Sequence, residues 1–453
     1  MKKKFVYLLA AAMTLSGSSF IMTSCGDDDP SSEIPTPPNG GDTPTPSNPV
    51  GNKELSSKEQ KEKLETVAKA FMNELKADNF TSLKDLAEYC YEEYIDNEDF
   101  DNGVVTKWFD AALEASSSFA GTKKDTWGSW VESRKLYNRI LQLSNFTGHF
   151  TAEKGTWKKT NANDLQFNFT DQNGKACNIT IASSGNLKKA YVGTTEDWNG
   201  WYKDDKTDQY IEEIEQYEEY IMVPEQITVT LTQGGTKQIE TIVNIDHSAF
   251  NGPEADLAKD GLVTNVTAKV ADFTWVVQRA EYSSKNKNAA VNGYMKKGNT
   301  TMLTFSADAN KLDVTNEAFN DAGTANVSID VLGQMQIKGS CSDVKKYVEL
   351  LDNADENDEN ESAFKGYINQ ANNLLNISVY YDKGSVQQAS IKLIPMLYES
   401  KWSSYKYWYT DPAVYFNDGT SYSFENYFNE KDFRSVIDVF NDIIRGYEDL
   451  LDE

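Results

Sequence analysis

The residues best suited to hold a ligand form an aromatic run near the C-terminus. It contains Tyr398, Trp402, Tyr405, Tyr407, Trp408, Tyr409, Tyr415 and Phe416. Rings with a polar edge can stack on the apolar faces of sugars, while Asn417 or Asp411 can reach hydroxyl groups. The same residues also suit strands that cover a sheet, since Tyr and Trp favour strands and bury large areas. The predicted carbohydrate-binding residues are Trp402, Tyr405, Tyr407, Trp408 and Tyr409, with sheet packing as the alternative.

A smaller aromatic group, Trp198, Trp201 and Tyr202, allows the same two interpretations. Gly200 lies within this group and indicates a loop. Because binding residues are often found on loops, the group is a second candidate for ligand contact.

Histidine chemistry is restricted to His149 and His247, the only two histidines in the chain. A Ser-His-Asp triad or a histidine-rich zinc site would have to use one of them. His149 lies at the start of an alternating strand and His247 at the end of a strand, and both positions are typical of hydrogen-bonded structural histidines. The sequence also has no nucleophile elbow, Walker loop, dinucleotide fingerprint or Cys-x-x-Cys pair. We therefore predict no catalytic residue, no cofactor and no metal site.

Carboxylates are the remaining candidates for catalysis, since the chain has 70 Asp and Glu residues. A glycosidase needs only two carboxyl groups brought together by the fold, so a carboxylate-dependent glycan hydrolase is an alternative to a binding protein. The densest acidic group comprises Asp352, Asp355, Glu356, Asp358, Glu359 and Glu361. It lacks the central glycine and ligand spacing of an EF-hand loop, which favours a solvated connector over a calcium site.

The first 25 residues have the pattern of an export signal. Lys2, Lys3 and Lys4 precede an apolar run that is too short to span a bilayer, and a cysteine, Cys25, follows a small-residue stretch. The segment resembles a bacterial lipoprotein signal peptide with its lipobox, in which Met22 stands where Leu is usual. The resemblance implies removal of residues 1–24 and lipidation of Cys25.

An acidic motif, Gly26-Asp27-Asp28-Asp29, directly follows the cysteine. It resembles the export signal that sends Bacteroidota lipoproteins to the outer face of the outer membrane. The resemblance implies a lipid-anchored protein in the outer membrane that faces the cell exterior. The alternatives are the periplasmic leaflet and an ordinary acidic turn within a tether.

The rest of the segment 25–54 is rich in Pro, Gly and Ser, which predicts a semi-stiff spacer. Removal of the signal takes the net charge from −26 to −29, because the signal contains three lysines and no acid. Such a charge repels nucleic acid, so the expected partners are the membrane, a carbohydrate or an envelope protein. The three later cysteines, Cys90, Cys177 and Cys341, allow one disulfide at most.

Helical periodicity marks the start of the folded part. Ser57 and Gln60 have capping-box spacing, and apolar residues at helical spacing predict a helix from Lys58 to Leu75. Weaker helical patterns are found at Leu83 to Tyr94, Val105 to Ala115 and Trp130 to Leu143. Together they predict a helical region over residues 55–145.

Alternation replaces helical spacing from Phe146 onward. One predicted hairpin turns at residues 171–174 and another at 382–384, between alternating apolar runs. Their similarity indicates either a divergent duplication or the common requirements of hairpins. More alternating runs lie between them without regular helices, and an apolar stripe predicts a C-terminal helix over 431–451.

These elements predict an α+β fold: an N-terminal helical region, an extended antiparallel β-sheet region with hairpins, and a C-terminal helix. The predicted division is a signal peptide (1–24), a lipidated tether (25–54), a helical region (55–145) and a β-rich region (146–453). The predicted function is that of a non-catalytic surface-binding module for glycans. The alternatives are a glycan hydrolase and a structural or assembly partner in an outer-membrane complex.

Overall fold

The computed structural model describes residues 53–76, 78–79, 117–119, 124–126, 132–153, 156–171, 173–203, 205, 208–250, 252, 254–256, 260–283, 286–311, 314–315, 318–319, 322–399, 405–424, 434–436, 438–439, 441–443 and 445. These residues belong to two compact units. The first unit contains the described residues within 53–74, 290–294 and 300–442. The second contains those within 75–289, 295–299 and 443–445.

The described α-helices are α1 (Ser57–Glu74), α2 (Val344–Asp355) and α3 (Glu361–Asn372). Short 3₁₀ helices span Leu143–Phe146 and His247–Ala249. The strands are β1 (Ser117–Phe119), β2 (Lys124–Thr126), β3 (Glu132–Leu141), β4 (Gly148–Glu153), β5 (Thr156–Thr160), β6 (Leu165–Thr170), β7 (Ala176–Lys203), β8 (Tyr210–Gln233), β9 (Thr236–Ile245), β10 (Glu254–Asp256), β11 (Leu262–Val270), β12 (Phe273–Ser283), β13 (Asn288–Lys297), β14 (Thr300–Asn310), β15 (Val314–Thr315), β16 (Ala318–Phe319), β17 (Thr324–Val331), β18 (Met335–Cys341), β19 (Leu375–Tyr381), β20 (Ala389–Glu399), β21 (Lys406–Phe416) and β22 (Ser421–Ser423).

The first unit is built on an antiparallel sheet in the order β14, β17, β18, β19, β20, β21, β22. Its buried cluster consists of Leu55, Val379, Tyr381, Ala389, Ile391, Val414 and Phe416. Leu64 of α1 and Val436 near the C-terminus pack against this cluster. The Ser435 hydroxyl also donates a hydrogen bond to the Glu65 carboxylate. Helix α1 and the described residues around Val436 therefore cover the same face of the sheet.

Helix α1 begins with a capping box, one residue earlier than the spacing of Ser57 and Gln60 predicts. The Glu59 carboxylate accepts a hydrogen bond from the Ser56 N–H at 2.8 Å, and the Glu59 N–H donates to the Ser56 hydroxyl at 3.3 Å. These reciprocal bonds satisfy free N–H groups of the first turn. The Gln60 side chain is instead buried, and it hydrogen-bonds to the carbonyl oxygen of Gln388 at 2.8 Å.

Helices α2 and α3 lie between β18 and β19, so the prediction of helices only at the chain ends was wrong. Asp343 caps α2 by accepting a hydrogen bond from the Lys346 N–H at 2.9 Å, and Asn360 caps α3 through the Ala363 N–H at 3.2 Å. The acidic residues between 352 and 361 occupy the end of α2, the connection and the start of α3. In the sequence, these acidic residues obscured the helical spacing of the apolar residues among them. Both helices bury those apolar residues.

The second unit is dominated by a hairpin of two long strands, β7 and β8. β8 also pairs with β9, which pairs with β11, and β11 pairs with β12, all antiparallel. Parallel pairs join β3 to β8, β4 to β6 and β10 to β7. Three one-residue register shifts interrupt β7. Each shift is a β-bulge, which increases the local twist of a strand and turns its side chains.

Strand β3 replaces the helix that we predicted over Trp130 to Leu143, and that prediction was wrong. Ten residues of β3 pair with β8, beginning with Glu132 opposite Glu212. Arg, Lys and Leu are good helix formers, but the pairing with a strand about 80 positions away overrides this local preference. The helices predicted at Leu83 to Tyr94 and Val105 to Ala115 lie outside the described residues.

The α+β class and the antiparallel character of the sheet are confirmed. The hairpins at 171–174 and 382–384 form as predicted, joining β6 to β7 and β19 to β20. The described residues of the predicted C-terminal helix, 434–436, 438–439, 441–443 and 445, are helical. None of the described helices combines the length and the apolar character needed to cross a bilayer.

Candidate functional site

The β20–β21 hairpin holds most of the aromatic run. The two strands pair in antiparallel register over eleven residues. Successive side chains of a strand point to opposite faces of the sheet. Tyr407 and Tyr409 of β21, with Tyr405 just before it, therefore share one face, and Trp408 lies on the other.

Four tyrosines form a row on this face. Tyr398 of β20 lies opposite Tyr407 of β21, with the ring centroids 4.9 Å apart. The rings of Tyr405 and Tyr409 lie 5.6 and 6.2 Å from that of Tyr407. Tyr398, Tyr405 and Tyr409 are 45%, 52% and 36% exposed, and Tyr407 is half-buried among them. We call these four residues the tyrosine row.

The rings of the tyrosine row are tilted against one another. Their planes are inclined by 35° between Tyr398 and Tyr407, 42° between Tyr405 and Tyr407, and 55° between Tyr407 and Tyr409. None of these three pairs is stacked face to face, which agrees with the large exposed fraction of the outer rings. Half-buried Met396, opposite Tyr409 in the register, continues the apolar surface along β20.

Trp408 packs on the opposite face of the hairpin, against α3. Its ring centroid lies 6.5 Å from that of Phe364, and the Lys365 ammonium lies 4.4 Å from the ring centroid. Its backbone N–H donates a 2.7 Å hydrogen bond to the backbone carbonyl of Asp358. Trp408 therefore serves the packing of α3, the alternative that the sequence left open, and the structure does not bring it together with the tyrosines.

The remaining predicted site residues divide into those that the structure places and those that it does not describe. Tyr405, Tyr407 and Tyr409 are brought together as described. Trp402, the lipidation residue Cys25 and the export motif 26–29 lie outside the described residues. Tyr398 belongs to the row although it was left out of the predicted site, because its place beside Tyr407 depends on the hairpin register.

The other end of the same hairpin holds the first residues that the structure describes. The Gln388 side chain accepts a hydrogen bond from the Leu55 N–H at 2.8 Å and donates one to the Lys53 carbonyl at 2.7 Å. Leu55 is buried, as are Gln388 and Gln60. The predicted tether thus enters the first unit beside Gln388, which directly precedes β20.

The tyrosine row and the entry of the chain lie at opposite ends of β20 and β21. Phe416 packs with Leu55 in the buried cluster, while Tyr407 lies nine positions earlier on the same strand. At about 3.3 Å per residue, this separation is about 30 Å. The exposed rings are therefore remote from the point at which the predicted tether arrives.

The two histidines differ in their surroundings. His149 Nε2 lies 2.6 Å from Asp164 Oδ1, so His149 is hydrogen-bonded as predicted. Hydrogen bonds from His149 and Gln166 hold the pKa of Asp164 below its usual value. His247 packs against Phe250, with ring centroids 5.5 Å apart, and its buried Nε2 has no hydrogen bond in the described part of the chain. The predicted hydrogen bond is therefore absent at this nitrogen of His247 among the described residues.

Side chains that could bind a metal ion are not clustered among the described residues. In that part of the chain, no group of three or more His, Cys, Asp or Glu side chains is arranged to hold a metal ion. Burial together with the nearby carboxylates of Asp352 and Asp358 raises the pKa of Asp355. Neither Cys177 nor Cys341 is joined in a disulfide, and Cys90 lies outside the described residues.

The smaller aromatic group lies in strand β7, not in the loop that Gly200 indicated. Gly200 has a φ of +102° and follows a register shift between Trp198 and itself. Glycine is favoured there because residues with a side chain rarely adopt positive φ. The signal that indicated a loop was thus the signal of a β-bulge.

Comparisons with known proteins do not extend this description. No protein-family model matches the chain, and neither a curated protein nor a solved structure matches it.

Proposed function

We propose that this protein is a lipid-anchored protein of the outer membrane, facing the cell exterior, that binds glycans through the tyrosine row without catalysing a reaction. The observation that carries the proposal is the row itself: four tyrosine rings on one face of a hairpin, three of them more than a third exposed. The lipidation motif at Cys25 and the acidic motif behind it support the location.

The physical chemistry of the row suits a sugar ligand. Exposed aromatic rings offer flat apolar surfaces for the C–H faces of pyranose rings, and each tyrosine adds a hydroxyl group that donates and accepts hydrogen bonds. Tyrosine has only two side-chain torsions, so little conformational entropy is lost on binding. A row of several rings also lets neighbouring sugars of one chain bind together, which strengthens weak single contacts.

The position of the row supports display away from the membrane. The predicted tether enters at Gln388, and the row lies about 30 Å away along the same strands. A ligand outside the cell then meets the tyrosines before it meets the anchored end of the domain.

The test uses the lipid-free chain from residue 26 in native gels cast with a panel of soluble polysaccharides. The same mixtures are assayed for released reducing ends. We expect retardation by at least one polysaccharide and no release. The double variant Tyr398→Ala/Tyr407→Ala should migrate as in a gel without polysaccharide, while Tyr422→Ala, which removes an exposed tyrosine of β22, should be retarded like the unchanged chain.

Two results would contradict the proposal. Retardation that persists in the double variant would place the binding site elsewhere. Release of reducing ends would assign the chain to the carboxylate-dependent hydrolases instead. A circular dichroism spectrum of the double variant that matches the unchanged chain makes loss of binding attributable to the missing rings.

A further inference from the structure

We propose that the tip of the β7–β8 hairpin is a docking surface for a basic polypeptide segment. This surface, called the tip surface below, consists of Trp198, Trp201 and Tyr210, which lie on the acidic hairpin segment 193–219. It belongs to the second unit and shares no residue with the tyrosine row. The inference does not depend on the glycan-binding proposal.

A β-bulge brings the two tryptophans onto one face. In a regular strand, residues three positions apart point to opposite faces. Here the register places Trp198 opposite Ile214 and Trp201 opposite Glu212, and these two partners are two positions apart on β8. The extra residue, Asn199, accounts for the difference. Both indole rings therefore share the face of Ile214 and Glu212.

The aromatic residues of the tip surface are largely exposed. Trp198 and Trp201 are 59% and 50% exposed, and Tyr210 is 59% exposed. Tyr210 lies two positions before Glu212 on β8, so it shares the same face. Exposed apolar groups gathered on one surface mark interaction sites, and Trp and Tyr are the residues that contribute most to binding at protein interfaces.

The hairpin tip that presents these rings has a strongly negative net charge. Residues 193–219 contain ten acidic residues and two lysines. One of those lysines, Lys203, is already paired with Asp208 at 2.7 Å. Strand β3, which pairs with β8, contains one glutamate and three basic residues, so the hairpin tip and β3 together keep a net charge of −6.

Exposed indole rings among carboxylates select a cationic partner. An Arg or Lys side chain gains both attraction to the face of a tryptophan and attraction to nearby carboxylates. Neutral polysaccharides use only the rings, while nucleic acids and anionic lipid headgroups are repelled by the carboxylates. A segment of polypeptide rich in Arg or Lys is the occupant that uses both features.

The experiment measures fluorescence anisotropy of a labelled dodecapeptide of alternating Arg and Gly with the lipid-free chain from residue 26. The matched probe has citrulline, which is uncharged and of similar shape, in place of each Arg. We expect saturable binding of the Arg peptide and about tenfold weaker binding of the citrulline peptide. The double variant Trp198→Ala/Trp201→Ala should bind the Arg peptide about tenfold more weakly, whereas Trp275→Ala, an exposed tryptophan of β12, should change binding less than twofold.

Several outcomes would overturn the inference. Two of them concern the peptides: unchanged binding of the Arg peptide in Trp198→Ala/Trp201→Ala, and equal binding of the Arg and citrulline peptides. The other two would reveal a different occupant: dimers in sedimentation that this double variant abolishes, or polysaccharide binding that the same variant loses. The variant Trp198→Phe/Trp201→Phe keeps aromatic rings and guards against misfolding, and it should bind within about threefold of the unchanged chain. The tyrosine-row variant Tyr398→Ala/Tyr407→Ala should bind the Arg peptide normally.

Discussion

Tyr398 and Tyr407 lie directly opposite each other across the β20–β21 hairpin, with their ring centroids 4.9 Å apart. Directly opposed side chains of an antiparallel pair support each other, and aromatic pairs are among the more favourable combinations. Tyr407 also has Tyr405 and Tyr409 as neighbours along its strand. Tyr407 therefore has a ring contact with each of the other three tyrosines of the row.

Replacement of Tyr407 should weaken glycan binding more than any other single change in the row. We expect Tyr407→Ala to weaken affinity about tenfold or more, because a ring is lost and three others lose their neighbour. The free energy of unfolding should fall by only about 0.2–1 kcal/mol. Isothermal titration calorimetry measures the affinity for the polysaccharide that retards the unchanged chain most strongly in native gels. Tyr407→Phe is the matched control and should stay within about threefold; equal losses in both variants would show that the hydroxyl, not the ring, is what matters.

Local signals in the sequence predicted those elements whose structure is local. The hairpin at 382–384 follows from turn residues between alternating runs, and the shared face of Tyr405, Tyr407 and Tyr409 follows from the two-residue period of a strand. The same period places Trp408 on the other face. Most of the tyrosine row could therefore be predicted from the sequence.

Features set by distant contacts were not predictable in this way. Ser56 with Glu59 and Ser57 with Gln60 both fit the capping-box spacing. The first pair forms the box because Gln60 is instead buried against Gln388, 328 positions away. Strand β3 depends on pairing with β8, which a single window of sequence does not contain. The common face of Trp198 and Trp201 depends on a bulge, whose position is a property of two strands.

Acid should weaken the capping box of α1. Hydrogen bonds, first of all from the Ser56 backbone N–H, lower the pKa of Glu59 from 4.5 to about 2. A carboxyl group whose pKa is lowered on folding stabilises the fold above its unfolded pKa and loses this contribution as the pH falls through the folded value. The contribution should therefore disappear between about pH 4.5 and pH 2.

The measurement compares melting temperatures of the unchanged chain and Glu59→Gln across this range. Because Glu59 is largely exposed, we expect a contribution below about 1 kcal/mol, or a difference of a few degrees at pH 7 that vanishes near pH 2. Glu62→Gln, an exposed glutamate of the next turn, is the control and should show no such convergence. A difference that grows on acidification would refute the assignment.

Phe364 should be critical for the docking of α3. It is fully buried and packs in a cluster with Ala354 of α2, Ile368 of α3 and Trp408 of the hairpin. Truncation of a buried Phe costs about 3–5 kcal/mol, since the lost contacts leave a cavity. We expect Phe364→Ala to lower the urea midpoint of the first unit accordingly, measured by far-ultraviolet circular dichroism. Tyr422→Ala, which removes an exposed ring, should change the midpoint little; similar midpoints for both variants would contradict this packing.

Lipidation at Cys25 should decide where the protein is found. We expect Cys25→Ser to leave the membrane fraction, because the thiol that accepts the lipid is gone. Cys341→Ser, which changes a free thiol of the folded part, should stay in that fraction. Replacement of Asp27, Asp28 and Asp29 together by Ala should keep the protein in the membrane but protect it from protease added to intact cells. If added protease still digested that triple variant, surface exposure would not depend on the acidic motif.

Gln388 should hold the segment before α1 against the sheet. Its side chain bonds to the Leu55 N–H and the Lys53 carbonyl in a buried position, and Gln388→Ala leaves the Leu55 N–H without that partner. An orphaned buried group costs about 1–3 kcal/mol. Since each 1.4 kcal/mol corresponds to a factor of ten in an opening equilibrium, we expect hydrogen exchange at the Leu55 amide to accelerate about 10–100-fold.

The matched control is Gln387→Ala, whose side chain is exposed and whose carbonyl oxygen still accepts the hydrogen bond from Asn417. This variant should leave exchange at Leu55 unchanged. Binding at the tyrosine row, about 30 Å away, should survive in both variants because β20 and β21 keep their register. Loss of glycan binding in Gln388→Ala would mean that the entry of the chain and the row are coupled. Unchanged exchange would mean that Leu55 is held by its apolar contacts alone.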